Sequence, residues 1–255
     1  MLGLGLGIPL GSYIKSAISP TAISAANLAL WYQFNTGQTL DGLNTIVRKW
    51  DDQSGNNNHA SNSSDTNCAA IDSGALDFEE SQDDFYNLAQ TVTVPQNGGF
   101  CLAVVLEQET NSANTILSKA SSSNDFIAIH DAPTFKFKAS TGSVVETEFV
   151  FDPSPFVTSE KMLIVLTRTA GSSNRFKFYK NSSLLTPDTD NSTNEAQGEN
   201  PNGFAFNVFG SKNPSSGSYT DMFDGKIYDL AFWDDELSTA EISNVIDYFT
   251  STHGL

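Results

Sequence analysis

The chain has 255 residues, 39% of them hydrophobic and 18 of them Phe, enough to build a core, so wholesale disorder is excluded. Its 13 Lys and Arg stand against 30 Asp and Glu, a formal net charge of −17. That balance repels nucleic acid and anionic membranes at long range, and every apolar run is strand-sized, so neither nucleic-acid binding nor membrane insertion is expected.

The chain opens with Leu2, Leu4, Leu6 and Ile8 alternating with glycine, followed by Leu10. An extended segment of this kind shows one greasy face and one bare backbone face. Pro9 and Pro20 discourage a long helix. The segment lacks a basic n-region and an A-x-A-like cleavage site, so it reads as retained rather than as a signal peptide. Such an arm either packs along its own domain or docks on a neighbouring subunit, where strand addition would cover it. An unattached terminus is the plain alternative. We place the arm at residues 1–28, with Leu2, Leu4, Leu6, Ile8 and Leu10 as candidate anchors, and a single domain at 29–255.

From Trp31 onward, short apolar segments alternate with Ser/Asn/Asp/Gly-rich breaks, as in a β-sandwich. Strands are predicted at 28–34, 75–78, 87–92, 100–107, 115–119, 126–130, 134–139, 161–169, 175–180, 204–209 and 225–233. Phe100–Leu106 and Met162–Leu166 are apolar on both faces and should be central. Phe135 and Phe137 interleave with Lys136 and Lys138, and Phe176 and Phe178 with Arg175 and Lys177. If those two strands are neighbours, Lys136, Lys138, Arg175, Lys177 and Lys180 form a local basic face. The polar stretch 181–202 reads as a long surface loop. Ser238 and Glu241 make a capping box for a helix whose Ile242, Val245, Ile246 and Phe249 share one side. That helix should cover an opening or edge of the sandwich.

Candidate chemistry is sparse. The acid clusters Glu107-Gln108-Glu109, Glu146-Thr147-Glu148 and Asp234-Asp235-Glu236 read as a strand end, a segment between strands and an exposed loop. His59, His130 and His253 are scattered, without metal-ligand spacing. Cys101 lies in an apolar run, where a buried free thiol is the simpler reading. A Cys68–Cys101 bridge is the alternative and demands close Cα atoms. Trp31, Trp50 and Trp233 read as packing residues, which leaves Tyr219 as the more plausible exposed ring for a sugar.

Two motifs carry a resemblance. Trp50-Asp51-Asp52-Gln53-Ser54-Gly55-Asn56-Asn57-Asn58-His59-Ala60 lies early. Phe223-Asp224-Gly225-Lys226-Ile227-Tyr228-Asp229-Leu230 lies late, followed by Leu237-Ser238-Thr239-Ala240-Glu241-Ile242. Together they resemble the laminin-G-like branch of the concanavalin A-like lectin/glucanase jelly rolls. The resemblance implies an all-β fold: a jelly-roll sandwich of two antiparallel sheets with one C-terminal helix, here preceded by the extended arm. It makes Trp50, Asp51, Ser54, Gly55, Asn56, Asn58, Gly225, Ile227, Ser238 and Glu241 structural motif residues.

The paired-carboxylate E-x-D-x-x-E motif of the family's hydrolases is absent, so no enzymatic activity is expected. Several such modules hold calcium at the sandwich rim. That makes Asp51 and Asp52 weak candidates, with Asp83 and Asp84 or Asp221 and Asp224 approaching, although turn chemistry explains the same residues better. No other cofactor is implied. The opening residues, through Ser19-Pro20-Thr21-Ala22-Ile23-Ser24 and Leu28-Ala29-Leu30-Trp31-Tyr32, resemble virion structural proteins of tailed marine bacteriophages (cyanophages). This implies a capsid decoration, neck or tail appendage assembled in the host cytoplasm. Its partners would be other virion subunits and a host surface glycan. The alternatives are a free extracellular carbohydrate-binding or adhesion module and, behind it, a glycoside hydrolase.

Overall fold

A computed structural model describes residues 17–130, 133–139, 145–170, 176–190, 203–212 and 220–255. The anchor residues Leu2, Leu4, Leu6, Ile8 and Leu10 lie outside the described residues, as do Arg175 and Tyr219. In chain order the first strands are β1 (Leu28–Gln33), β2 (Gln38–Leu40), β3 (Val47–Trp50), β4 (Ala60–Ser61), β5 (Ala70–Asp72) and β6 (Ala75–Phe78). Next come β7 (Tyr86–Val94), β8 (Phe100–Gln108), β9 (Asn114–Lys119), β10 (Ser122–His130), β11 (Thr134–Ala139) and β12 (Val145–Val150). The last are β13 (Met162–Arg168), β14 (Phe176–Lys180), β15 (Ser183–Leu185), β16 (Thr189–Asp190), β17 (Phe204–Phe209) and β18 (Gly225–Trp233), before helix α1 (Thr239–His253).

The strands form two antiparallel sheets, as expected of an all-β sandwich. One has the order β15-β14-β13-β8-β18-β6-β5, with β1 also paired to β18. The other runs β16-β12-β11-β10-β9-β17-β7-β4-β3-β2. Alternation fixes which side chains enter the space between them. Phe135 and Phe137 go in, Phe100, Phe176, Phe178 and Phe204 meet them there, and Phe232 stacks on Phe100. At another place Phe209 packs against Tyr32, Trp50, Phe78 and Tyr86, with ring centroids 5.3–6.4 Å apart. Edge-on and offset aromatic pairs of this kind add to the area they bury.

β8 and β13 are central and buried on both faces. One face enters the inter-sheet core, while Cys101, Ala103, Val105, Leu163 and Val165 lie under Ile242, Val245, Ile246 and Phe249 of α1. The helix therefore covers the outer face of the sheet's centre rather than an opening or edge. Its cap is as expected: the Glu241 N–H donates to Ser238 Oγ and the Ser238 N–H to Glu241 Oε2. A bulge in β18 between Ile227 and Asp229 puts Tyr228 and Asp229 in succession on the helix side. Asp229 is fully buried there and accepts bonds from Trp31 Nε1 (3.0 Å) and His253 Nε2 (3.2 Å). Burial pushes its carboxyl above the ordinary range.

Several expectations are corrected. β11 and β14 belong to different sheets, so no shared basic face forms. Lys136 instead pairs with Glu148 on the next strand, and Lys180 with Glu160. Glu146-Thr147-Glu148 lies within β12, in register with Lys138-Phe137-Lys136 of β11, and is not a segment between strands. The stretch 181–202 is not all loop, because β15 and β16 fall inside it. Cys68 and Cys101 are both free and buried, Cys101 beneath the helix and Cys68 elsewhere, so the bridge does not form.

The last residues of the predicted arm pack on the sandwich. Ile23 is buried in the helix-side cluster, Ile18 packs on that cluster, and the Ile23 carbonyl accepts a 2.8 Å bond from Trp233 Nε1. Ile18 and Ile23 thus join the core beneath the helix. A chain starting at Asn27 should be about 2–4 kcal/mol less stable than one starting at Ala17, through the lost Ile23 burial and the unpaired indole. Urea unfolding of both chains measures this, and equal midpoints would show that the segment is not part of the folded unit.

Candidate functional site

The early motif builds a braced turn between β3 and β4. Asp52 is its centre. Asp52 Oδ1 accepts from the Trp31 N–H (2.9 Å) and the Ser54 N–H (2.9 Å), and Oδ2 from Ser54 Oγ (2.7 Å) and the Asn58 N–H (3.0 Å). Gly55 and Asn57 take left-handed dihedrals, φ +96° and +56°, which Gly and Asn tolerate. The Tyr32 hydroxyl donates to the Asn58 carbonyl, and Trp50 is fully buried beneath. Asp51, by contrast, turns to Lys49 (2.6 Å) and His59 (3.1 Å). The brace is Asp52, the neighbour of the motif residue Asp51.

The two asparagines then tie this turn to other strands. Asn56 Nδ2 donates to the Leu28 and Ala29 carbonyls at 2.7 and 3.2 Å. Asn58 Oδ1 accepts from the Gln90 N–H at 2.7 Å. Gln90 reaches that position because β7 bulges: Phe206 faces Val92 but Val208 faces Asn87, leaving extra residues on β7. Such bulges re-aim side chains beside sites. The result is a polar cleft of about 290 Å³ between the turn, the start of β1, the bulge of β7 and the end of β18. Asn56, Asn58 and Gln90 line it with amides, and Thr91 and Thr93 with exposed hydroxyls. At the β18 end sits Asp234, whose N–H donates to the Asn27 carbonyl at 3.0 Å. Burial, the largest influence, holds the half-buried Asp234 carboxyl above its ordinary range.

The remaining candidates do not gather around this cleft. Asp84 accepts from the Glu79 N–H, and burial pushes its carboxyl up to about 6; Asp77 is raised likewise to about 6. Asp221 pairs with Lys212 at 2.5 Å, and Asp224 accepts from the Glu80 N–H. Among the described residues no group of three or more His, Cys, Asp or Glu is placed to hold a metal. All four hydrogen bonds to Asp52 come from protein donors, so its oxygens serve the turn. Glu107 accepts from Tyr228 Oη, Glu109 lies 3.6 Å from Lys226, and Glu236 accepts from the Ala170 N–H. Gly225 and Ile227 sit where β18 meets both β6 and β8.

Asn27, Gln90, Thr91 and Thr93 escaped the sequence reading, and Asp234, read there as exposed loop charge, is half-buried at the cleft. One signal for them existed. In Tyr86–Val94 the buried residues Tyr86, Leu88, Val92 and Val94 skip position 90, where alternation wants an apolar side chain and the chain has Gln.

No family model and no curated protein matches the chain. Solved structures do. A crystal structure of the botulinum neurotoxin serotype C1 binding domain aligns at 18% identity and TM-score 0.54, covering 88% of this chain and 52% of that one. A structure of botulinum neurotoxin type C aligns at 17% and 0.55, covering 89% and 53%. A mutant Trypanosoma rangeli sialidase aligns at 14% and 0.52, covering 91% and 36%. The shared feature is the β-sandwich fold. The chain thus spans about half the length of the toxin chains it matches.

Proposed function

We propose that the chain is a non-enzymatic, glycan-binding β-sandwich carried on a bacteriophage virion, with residues 1–16 as its anchor to a capsid, neck or tail subunit. The observation that carries the glycan part is the cleft of amides, hydroxyls and one carboxylate. These are the groups that exchange hydrogen bonds with sugar hydroxyls in place of water. The amides are preorganised, since Asn56 and Asn58 are already bonded to backbone, which lowers the ordering cost of binding. The fold supports the same reading by analogy: cell entry of botulinum neurotoxin type C depends on interaction with two ganglioside molecules. The virion part rests on the opening sequence, and the particle would be assembled in the host cytoplasm. The non-enzymatic part rests on the local partners of Glu107, Glu109, Glu148 and Glu236.

The test measures glycan retention by the full chain on a printed array of bacterial-surface and common oligosaccharides. Retention that falls at least tenfold in a Gln90→Ala variant of unchanged thermal stability supports the reading. Absence of any retained glycan sinks it. For the anchor, a chain lacking residues 1–16 should keep its glycan binding yet fail to enter particles. Normal incorporation would leave the free extracellular binding module as the reading to hold.

A further inference from the structure

We infer that the cleft selects uncharged sugars over acidic ones, and that Asp234 sets this choice. The inference rests on the cleft being the glycan site and adds the chemical class of its ligand. Among the residues that line the cleft Asp234 is the one charged group, and neither Lys, Arg nor His is among them. Recognition of a sialic or uronic acid needs a cation or a guanidinium fork to meet its carboxylate. The two cations of β3, the strand that leads into the turn, are engaged: Lys49 is held by Asp51, and Arg48 by Asp65 through two hydrogen bonds.

What the cleft offers instead suits hydroxyls. A carboxylate accepts charge-assisted bonds from sugar O–H groups, and vicinal hydroxyls can meet both of its oxygens. The Asn56 amide, whose Nδ2 is bound to the Leu28 and Ala29 carbonyls, offers its Oδ1 as an acceptor, the Gln90 amide offers a donor and an acceptor, and the hydroxyls of Thr91 and Thr93 supply both roles. An acidic sugar in this space would bring its carboxylate near Asp234, with attenuated solvent screening because Asp234 is half-buried. The net charge of −17 adds a weaker repulsion of the same sign over the approach. Discrimination of about tenfold or more follows from one such like-charge contact.

The experiment uses the full-length chain on an array that prints neutral oligosaccharides beside their sialylated and glucuronylated counterparts, at about pH 7.5 and roughly 0.15 M salt. Wild type, Asp234→Asn and Gln90→Ala are compared, each checked for an unchanged melting temperature. The expected result is retention of a neutral glycan at least tenfold above its acidic counterpart by wild type. In Asp234→Asn that gap should close to within about threefold, whereas Gln90→Ala should weaken retention and preserve the gap. Wild-type retention of an acidic glycan at least as strong as of its neutral partner would overturn the selectivity and leave the glycan reading standing. A gap unchanged in Asp234→Asn would overturn the role of Asp234. No retained glycan in wild type would instead remove the reading on which the inference rests.

Discussion

Replacing Gly225 with alanine is expected to cost about 4 kcal/mol or more, enough to unfold a chain of ordinary stability at moderate temperature. Gly225 takes φ +135°, a conformation that L side chains rarely adopt. A Cβ built there would lie 2.2 Å from the Glu107 carbonyl oxygen and 2.9 Å from the Gln108 Cα. Those atoms belong to β8, which cannot withdraw without breaking the Gly225–Gln108 pairing at the sheet's centre. Gly55 provides the control. Its φ is +96°, but nothing lies within 4 Å of its Cβ position. Gly55→Ala should therefore cost only dihedral strain, about 1–2 kcal/mol. Urea unfolding of the two variants reads the difference, and a Gly225→Ala cost below that of Gly55→Ala would contradict the steric argument.

Asp52→Ala is expected to cost about 3–5 kcal/mol, and Asp51→Ala less than about 1 kcal/mol, although the two residues are adjacent. Asp52 is 8% exposed and accepts four hydrogen bonds. Its removal leaves the buried Trp31 and Asn58 N–H groups without acceptors, and each such orphan carries most of its desolvation cost. Asp51 makes two contacts in a partly exposed position, and solvent screens them. In melting temperature the Asp52 loss corresponds to roughly 10 °C for a chain of this length. Because Asn56 and Asn58 are the cleft's wall, glycan retention should fall with it even at temperatures where the variant remains folded. Equal stability of the two variants would mean that the turn is not braced by Asp52.

How the sequence relates to these results differs from element to element. The period-two alternation of Phe135 and Phe137 against Lys136 and Lys138 located β11 without help, because one face must be buried and the other must not. The doubly apolar β8 and β13 declared themselves central for the same reason. The Ser238–Glu241 box fixed the start of α1, since both partners lie within one turn. By contrast β2, β4, β5 and β16 span two or three residues each. That is too short for a period to show, and only pairing with a neighbour makes them strands. β12 was hidden because its charges look like loop charges until Lys136 and Lys138 are placed across from them.

The helix shows the same division. Its apolar stripe required something to cover, but the stripe is equally consistent with a rim or a face. The buried outer side of β8 and β13 decided it. Asp51 and Asp52 satisfy the motif equally well on paper, and the hydrogen bonds from Trp31, Ser54 and Asn58 select the second. The cleft lay furthest from view. Its residues come from 26–29, from 56 and 58, from 90–93 and from 234, four stretches that no local pattern connects. By itself the sequence determined which segments bury a face and where the helix begins, because those depend on neighbours along the chain. The tertiary structure alone decided which carboxylate braces the turn and which polar groups share a cleft, because hydrogen bonds between distant segments depend on sheet order and register.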